Sequence, residues 1–159
     1  LEKLQSIDIA ALSTEPLSLI TVGINWELSI GSDADLDFGC LMLNSNGELL
    51  DLVNYQQLRS KESAVRHGGD SRGDRNNGND DEVLNINLSL LPDEVRFVAF
   101  YLASYKGSPM GDLVSCGVHL YESNSRRDLA FMDCYDPDIS RHPSALLCIL
   151  IKAKSKWNF

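Results

Sequence analysis

At 159 residues the chain has the length of one domain, long enough to bury roughly 68–70% of its unfolded surface. Its 23 acidic against 14 basic residues leave a net charge of −9, which excludes a nucleic-acid partner because phosphates would be repelled. No apolar run approaches the roughly 18 residues that a membrane-spanning helix needs, and no signal peptide is visible, so a cytoplasmic domain is expected.

In chain order, residues 1–15 carry only a short apolar pattern (Ile7, Ile9, Leu12) and read as a lead-in, and a start at Leu1 fits a piece of a longer parent protein. Pro16 ends that segment, and residues 17–26 read as a strand. Residues 35–43 and 48–53 form two strands around Ser45, Asn46 and Gly47; Asn-Gly between apolar runs is a strong hairpin signal. Residues 55–65 are polar and weakly periodic, a loop with a helical turn. Residues 83–88 alternate, Leu84, Ile86 and Leu88 on one face and Asn85 and Asn87 on the other, as in a half-buried strand.

Residues 95–103 are almost wholly apolar and predict a central strand. Residues 114–121 and 128–135 are further strands. The stretch 145–159 starts apolar and then alternates, with Lys152, Lys154 and Lys156 as a solvated strand face. About eight strands punctuated by turn signals predict an all-β chain folded as an antiparallel β-sandwich, a single domain over residues 1–159.

The stretch 67–82 stands apart. It contains no apolar residue and must lie at the surface. It carries Asp70, Asp74, Asp80, Asp81 and Glu82, the amides Asn76, Asn77 and Asn79, and four glycines. Two unit charges about 4 Å apart at an effective dielectric near 20 repel by roughly 4 kcal/mol, so a folded loop of this kind calls for a cation. Oxygen-only donors suit calcium ahead of magnesium. The competing reading is a solvated loop without metal. A second cluster favours the metal: Asp33, Asp35 and Asp37 alternate with Ala34, Leu36 and Phe38, and carboxylates repeated on one strand face need neutralising.

A family resemblance rests on these same residues. The segment 20–27 (ITVGINWE) followed by Asp35, Leu36 and Asp37 resembles the opening of the TerD family, the tellurium-resistance and stress-protein domains, where a Val-Gly-Leu-Gly-Trp-Asp strand precedes Phe-Asp-Leu-Asp-Ala. His67, Gly69, Asp70 and Arg72, with the closing Asp80, Asp81 and Glu82, are similar to that family's His-x-Gly-Asp-Asn-Arg and Gly-Asp-Asp-Glu loop. Ser144 to Leu146 and Trp157 to Phe159 resemble its Thr-Ala-Met and Trp-Lys-Phe. The resemblance runs from about Pro16 to Phe159 and implies a calcium-binding β-sandwich. Three departures stand out: Glu27 in place of the usual Asp, Lys106 after Tyr105 in place of Asp, and Asn79 where a Gly is usual. Lys106 sets a cation beside the expected site, which predicts weakening of one of two calcium positions.

Other chemistries fit poorly. No register of residues 70–82 supplies an EF-hand loop, and the flanks are strands. Gly73 and Gly78 have P-loop spacing, but Asn79 and Asp80 replace its Lys and Ser/Thr. The Arg72-Gly73-Asp74 tripeptide reads as chance. Cys40, Cys116, Cys134 and Cys148 are widely spaced in apolar segments without a Cys-x-x-Cys pair, as expected of reduced core thiols and not of zinc ligands. His67 borders the acidic loop as a turn residue, and His119 reads as a satisfied strand residue.

The expectation is thus a non-enzymatic calcium-binding domain, a stress-response or scaffolding module with a protein partner. Its metal ligands are drawn from Asp35, Asp37, Asp70, Asp80, Asp81 and Glu82, with Asp33, Asp74 and Asn76 as alternates. Glu82, the longest carboxylate, would bind bidentately. The alternatives are a metal-free interaction sandwich and a hydrolase using Asp80 and Glu82 as a carboxylate pair.

Overall fold

A computed structural model of the protein describes residues 5–12, 17–69, 80–154 and 156–159. The described residues form ten strands: β1 (Leu19–Leu28), β2 (Leu36–Leu43), β3 (Leu49–Val53), β4 (Val65–His67), β5 (Glu82–Asn87), β6 (Phe97–Ser104), β7 (Leu113–Glu122), β8 (Asp128–Asp133), β9 (Ser144–Ala153) and β10 (Lys156–Asn158). They assemble into two five-stranded sheets, ordered β4-β5-β1-β7-β8 and β10-β9-β6-β2-β3. Every ladder is antiparallel. Two short 3-10 turns, Ile9–Leu12 and Ile139–Arg141, are the helical elements among the described residues.

Period-two alternation fixes which face of each strand turns inward. In β1, Ile20, Val22 and Ile24 are 0% exposed, each such burial contributing about 1.5–3 kcal/mol. Facing them from the second sheet are Phe38 and Cys40 of β2 and Val98, Phe100 and Leu102 of β6, all at 0%. The Phe38 and Phe100 rings stack at 6.1 Å. Trp157 and Phe159 close one end of this core, and Ile7 and Phe159 exchange backbone hydrogen bonds that tie the lead-in to β10.

The structure differs from the sequence reading in three places. His67 and Glu82, the ends of a stretch expected wholly at the surface, are buried at 8% and 3% exposure, because both turn inward to serve the backbone of Phe38. The loop expected at residues 55–65 leads directly into β4, because Val65 N–H is held by the Ser60 hydroxyl and Arg59 bridges Arg66. The final lysines do not share one strand face. The chain reverses at Lys154, which adopts φ 56°, so β9 and β10 form a hairpin. Lys152 and Trp157 are paired across it, with the ammonium 5.9 Å from the indole ring.

Candidate functional site

Asp80, Asp81 and Glu82 are consecutive, yet they take three different directions. Glu82 opens β5 opposite Ile24 and shares the inward parity of Leu84 and Ile86, which buries it at 3% exposure. Asp81 extends the β1–β5 ladder: its N–H donates to Ile24 C=O at 2.7 Å, and its Oδ2 accepts Trp26 N–H at 2.8 Å. Asp80 lies over the outer surface of the same sheet, its carboxylate against the Cα of Gly23, where an added Cβ would overlap it.

Glu82 answers a shortage created by β3. That strand pairs with β2 only from Val53, opposite Cys40, onward, so the polar backbone of Phe38 on that side has no strand partner. Side chains supply one: Phe38 N–H donates to Glu82 Oε2 at 2.8 Å, and His67 Nε2 lies 3.1 Å from Phe38 C=O. Gly69 N–H donates to His67 Nδ1 at 3.1 Å, which puts the proton of the neutral imidazole on Nε2, where it serves Phe38. His67 Nε2 is also 3.4 Å from Glu82 Oε2, with both side chains buried. Burial alone would lower the His67 pKa, but the hydrogen bond and charge of Glu82 raise it above the ordinary histidine value. This clasp crosses from one sheet to the other, and no buried side-chain polar atom among the described residues lacks a partner.

On the outer face, Gly23 and His119 are cross-strand partners, and Asp80 rests between them with its side chain 9% exposed. Desolvation pushes the Asp80 pKa up against the attraction of His119 and Arg126. Its Oδ1 is 3.7 Å from His119 Nδ1, while His119 Nε2 reaches Asp128 Oδ1 at 2.9 Å. Tyr121 and Arg126 continue the cluster, the guanidinium 5.4 Å from the ring centroid.

The other acidic segment meets this one at Phe38. Asp37 is adjacent to the residue that Glu82 holds and is half-buried, and its charge reaches His67. Asp33 and Asp35 precede β2 and are exposed. Lys106 Nζ lies 3.2 Å from Asp33 Oδ2, with both side chains largely in solvent. Tyr105 N–H donates to Asp35 C=O at 2.9 Å. Asp70, Asp74 and Asn76 lie outside the described residues.

The donor chemistry suits a hard cation, since every described candidate is a carboxylate, but these carboxylates do not close a shell. Among the described residues no group of three or more His, Cys, Asp or Glu side chains is placed to hold a metal ion. A calcium ion takes roughly 6–8 oxygens, more than the described carboxylates bring together. Asp80 and Glu82 face opposite sides of one sheet, so they share no cleft in which to act as a hydrolytic pair. The Gly23 shelf was not visible in the sequence, because the carboxylate it admits lies far along the chain. The inward course of His67 and Glu82 was equally hidden, although Glu82 does keep the parity of Leu84 and Ile86.

Comparison with known proteins agrees with this architecture. A TerD domain model matches residues 1–159. Tellurium resistance protein TerZ of Serratia marcescens is 29% identical, with 100% of this chain and 86% of the relative covered. General stress protein 16U of Bacillus subtilis (strain 168) is 26% identical at the same coverage. A crystal structure described as a homologue of telluride resistance protein (TerD) from Streptomyces coelicolor A3(2) superposes with a TM-score of 0.67 at 18% identity, covering 89% of this chain and 86% of that one. Matched along its whole length and folded as two antiparallel five-stranded sheets, the chain belongs to the TerD domain family.

Proposed function

We propose that this domain is a calcium-binding TerD-type sandwich acting in the cytoplasm as a stress-response or scaffolding interaction module, not as an enzyme. The observation that supports it is the hydrogen bond from Phe38 N–H to Glu82 Oε2, which sets the start of β2, just after the Asp33–Asp37 segment, beside Glu82. Asp35 and Asp37 would hold the ion from one side, and Asp70, Asp74 and Asn76 from the other, with Asp81 at the junction. Glu82 and Asp80 serve the site by fixing where β5 begins. Bound calcium supplies positive charge that offsets repulsion among these carboxylates and so orders a surface for a protein partner. The Lys106–Asp33 pair already brings a cation to the exposed flank, which favours one ion over two. A part in tellurium resistance or general stress, stated in the names of relatives, enters as a component of this proposal.

Calcium at about 100 times its dissociation constant stabilises by roughly 2.7 kcal/mol, which raises the midpoint of a domain this size by about 5–10 °C over chelator. Asp35→Asn with Asp37→Asn should abolish that rise, and calorimetry should return one ion per chain. A second reading, the metal-free interaction sandwich, draws on the fact that Asp80, Asp81 and Glu82 are each engaged by protein groups. An unmoved midpoint in calcium would favour it.

A further inference from the structure

Three of the four cysteines lie near one another between the two sheets, Cys116 being the cross-strand partner of Trp26. Cys116 points inward from β7 and is 2% exposed. Cys134 follows the end of β8 and is half-buried, and Cys148 lies on β9 in the opposite sheet. All are free thiols. The β7–β8 register runs to Gly117 opposite Asp133, and one step further Cys134 N–H donates to Cys116 C=O at 2.8 Å. Residues opposed at such a hydrogen-bonded position have Cα atoms about 5.5 Å apart, inside the roughly 4.4–6.8 Å window of natural disulfides.

The neighbouring thiols act on one another, lowering the Cys134 pKa and raising that of Cys116, and burial raises Cys148. Cys134 Sγ in turn lies 3.7 Å from Met132 C=O. Cys40 offers the contrast: it is 0% exposed and burial pushes it up to about 12. A half-buried thiol with a lowered pKa and a neighbouring thiol is the arrangement in which oxidation is selective and reversible.

We propose that Cys134 and Cys116 form a reversible dithiol–disulfide site, with Cys134 the thiol that a hydroperoxide oxidises and Cys116 the thiol that resolves it. The Cys134 thiolate attacks the peroxide; the S–O bond forms as O–O breaks, and the alcohol (water, for hydrogen peroxide) departs with the proton. Cys116 then attacks the sulfenic sulfur of Cys134. The S–S bond forms, S–O breaks, and the hydroxyl leaves as water with the Cys116 proton. Two thiols are oxidised by two electrons and one hydroperoxide is reduced. The product staples the tail of edge strand β8 to β7.

The test uses the full chain, reduced and freed of reductant, then treated with stoichiometric hydrogen peroxide. Intact mass should fall by two hydrogen atoms, and the non-reduced peptide map should show a Cys116–Cys134 link that dithiothreitol reverses. The oxidised form should melt higher by the order of 5 °C, since the link closes a loop. Cys116→Ala should gain one oxygen atom on Cys134, trappable by dimedone. Cys134→Ala should leave Cys116 a thiol. A Cys134–Cys148 link, an unoxidised Cys134 in the treated wild type, or oxidation of Cys116 when Cys134 is absent would each overturn the proposal. The wild-type peptide map decides it even where a core variant folds poorly.

Discussion

Asp80 and Glu82 sit two residues apart with the same charge, yet they lie on opposite faces of one sheet, because Asp80 precedes β5 and is free of its alternation. Glu82 enters the interior, where a backbone N–H and a buried imidazole fix it. Asp80 stays outside, pressed on Gly23 and shared with a histidine that is itself bonded to an exposed aspartate. Nothing can replace what Phe38 and His67 lose if Glu82 is removed. Position relative to the sheet, more than residue type, decides which carboxylate is a structural part.

Removing the interior partner breaks the comparison most sharply. Glu82→Ala should cost about 3 kcal/mol, because it orphans Phe38 N–H and leaves His67 facing a void, and thermal unfolding would read it as a fall of about 6–12 °C. Next comes the shelf: Gly23→Ala forces the short Asp80 side chain and its backbone away, costing about 1–3 kcal/mol by denaturant titration. Adding Asp80→Ala should recover part of that loss, and a strictly additive double mutant would place the clash elsewhere.

At the outer end of the cluster, Asp128→Asn should change stability by less than about 0.5 kcal/mol, since its side chain is 78% exposed. A fourth test extends the comparison to a carboxylate held by loop backbone. Burial alone would raise the Asp51 pKa, but Lys61 N–H, the Gln57 amide and Leu52 N–H hold it below the usual carboxylate range. A depressed folded value contributes stability above the unfolded pKa and loses it as pH falls through the folded one. The stability difference between wild type and Asp51→Asn should therefore be full near neutrality and shrink below about pH 4.

Most strands were legible because half-buried strands print their period directly, as Leu84 and Ile86 do in β5 and Ile20, Val22 and Ile24 in β1. What escaped did so for specific reasons. β4 has three residues and ends in a histidine, too short for any alternation to register. The β9–β10 turn sits at Lys154, a non-glycine residue at positive φ, so neither Gly nor Asn marks it. The sequence reading brought two acidic segments together, and among the described residues the contact between them is the hydrogen bond from Phe38 to Glu82. The division of labour among Asp80, Asp81 and Glu82 was not legible. It depends on a backbone vacancy at Phe38 and on the missing Cβ of Gly23, both of which arise only once distant strands pair.

The central place of β1 also governs how the fold can be reached. Its neighbours in the sheet come late: Leu19 pairs with Asn87 on one side, and Ile20 with Glu122 on the other. A chain emerging from the ribosome therefore carries an apolar strand that stays unpaired on both flanks until most of its length is made. Such non-local topology folds slowly and leaves sticky edges exposed in the meantime.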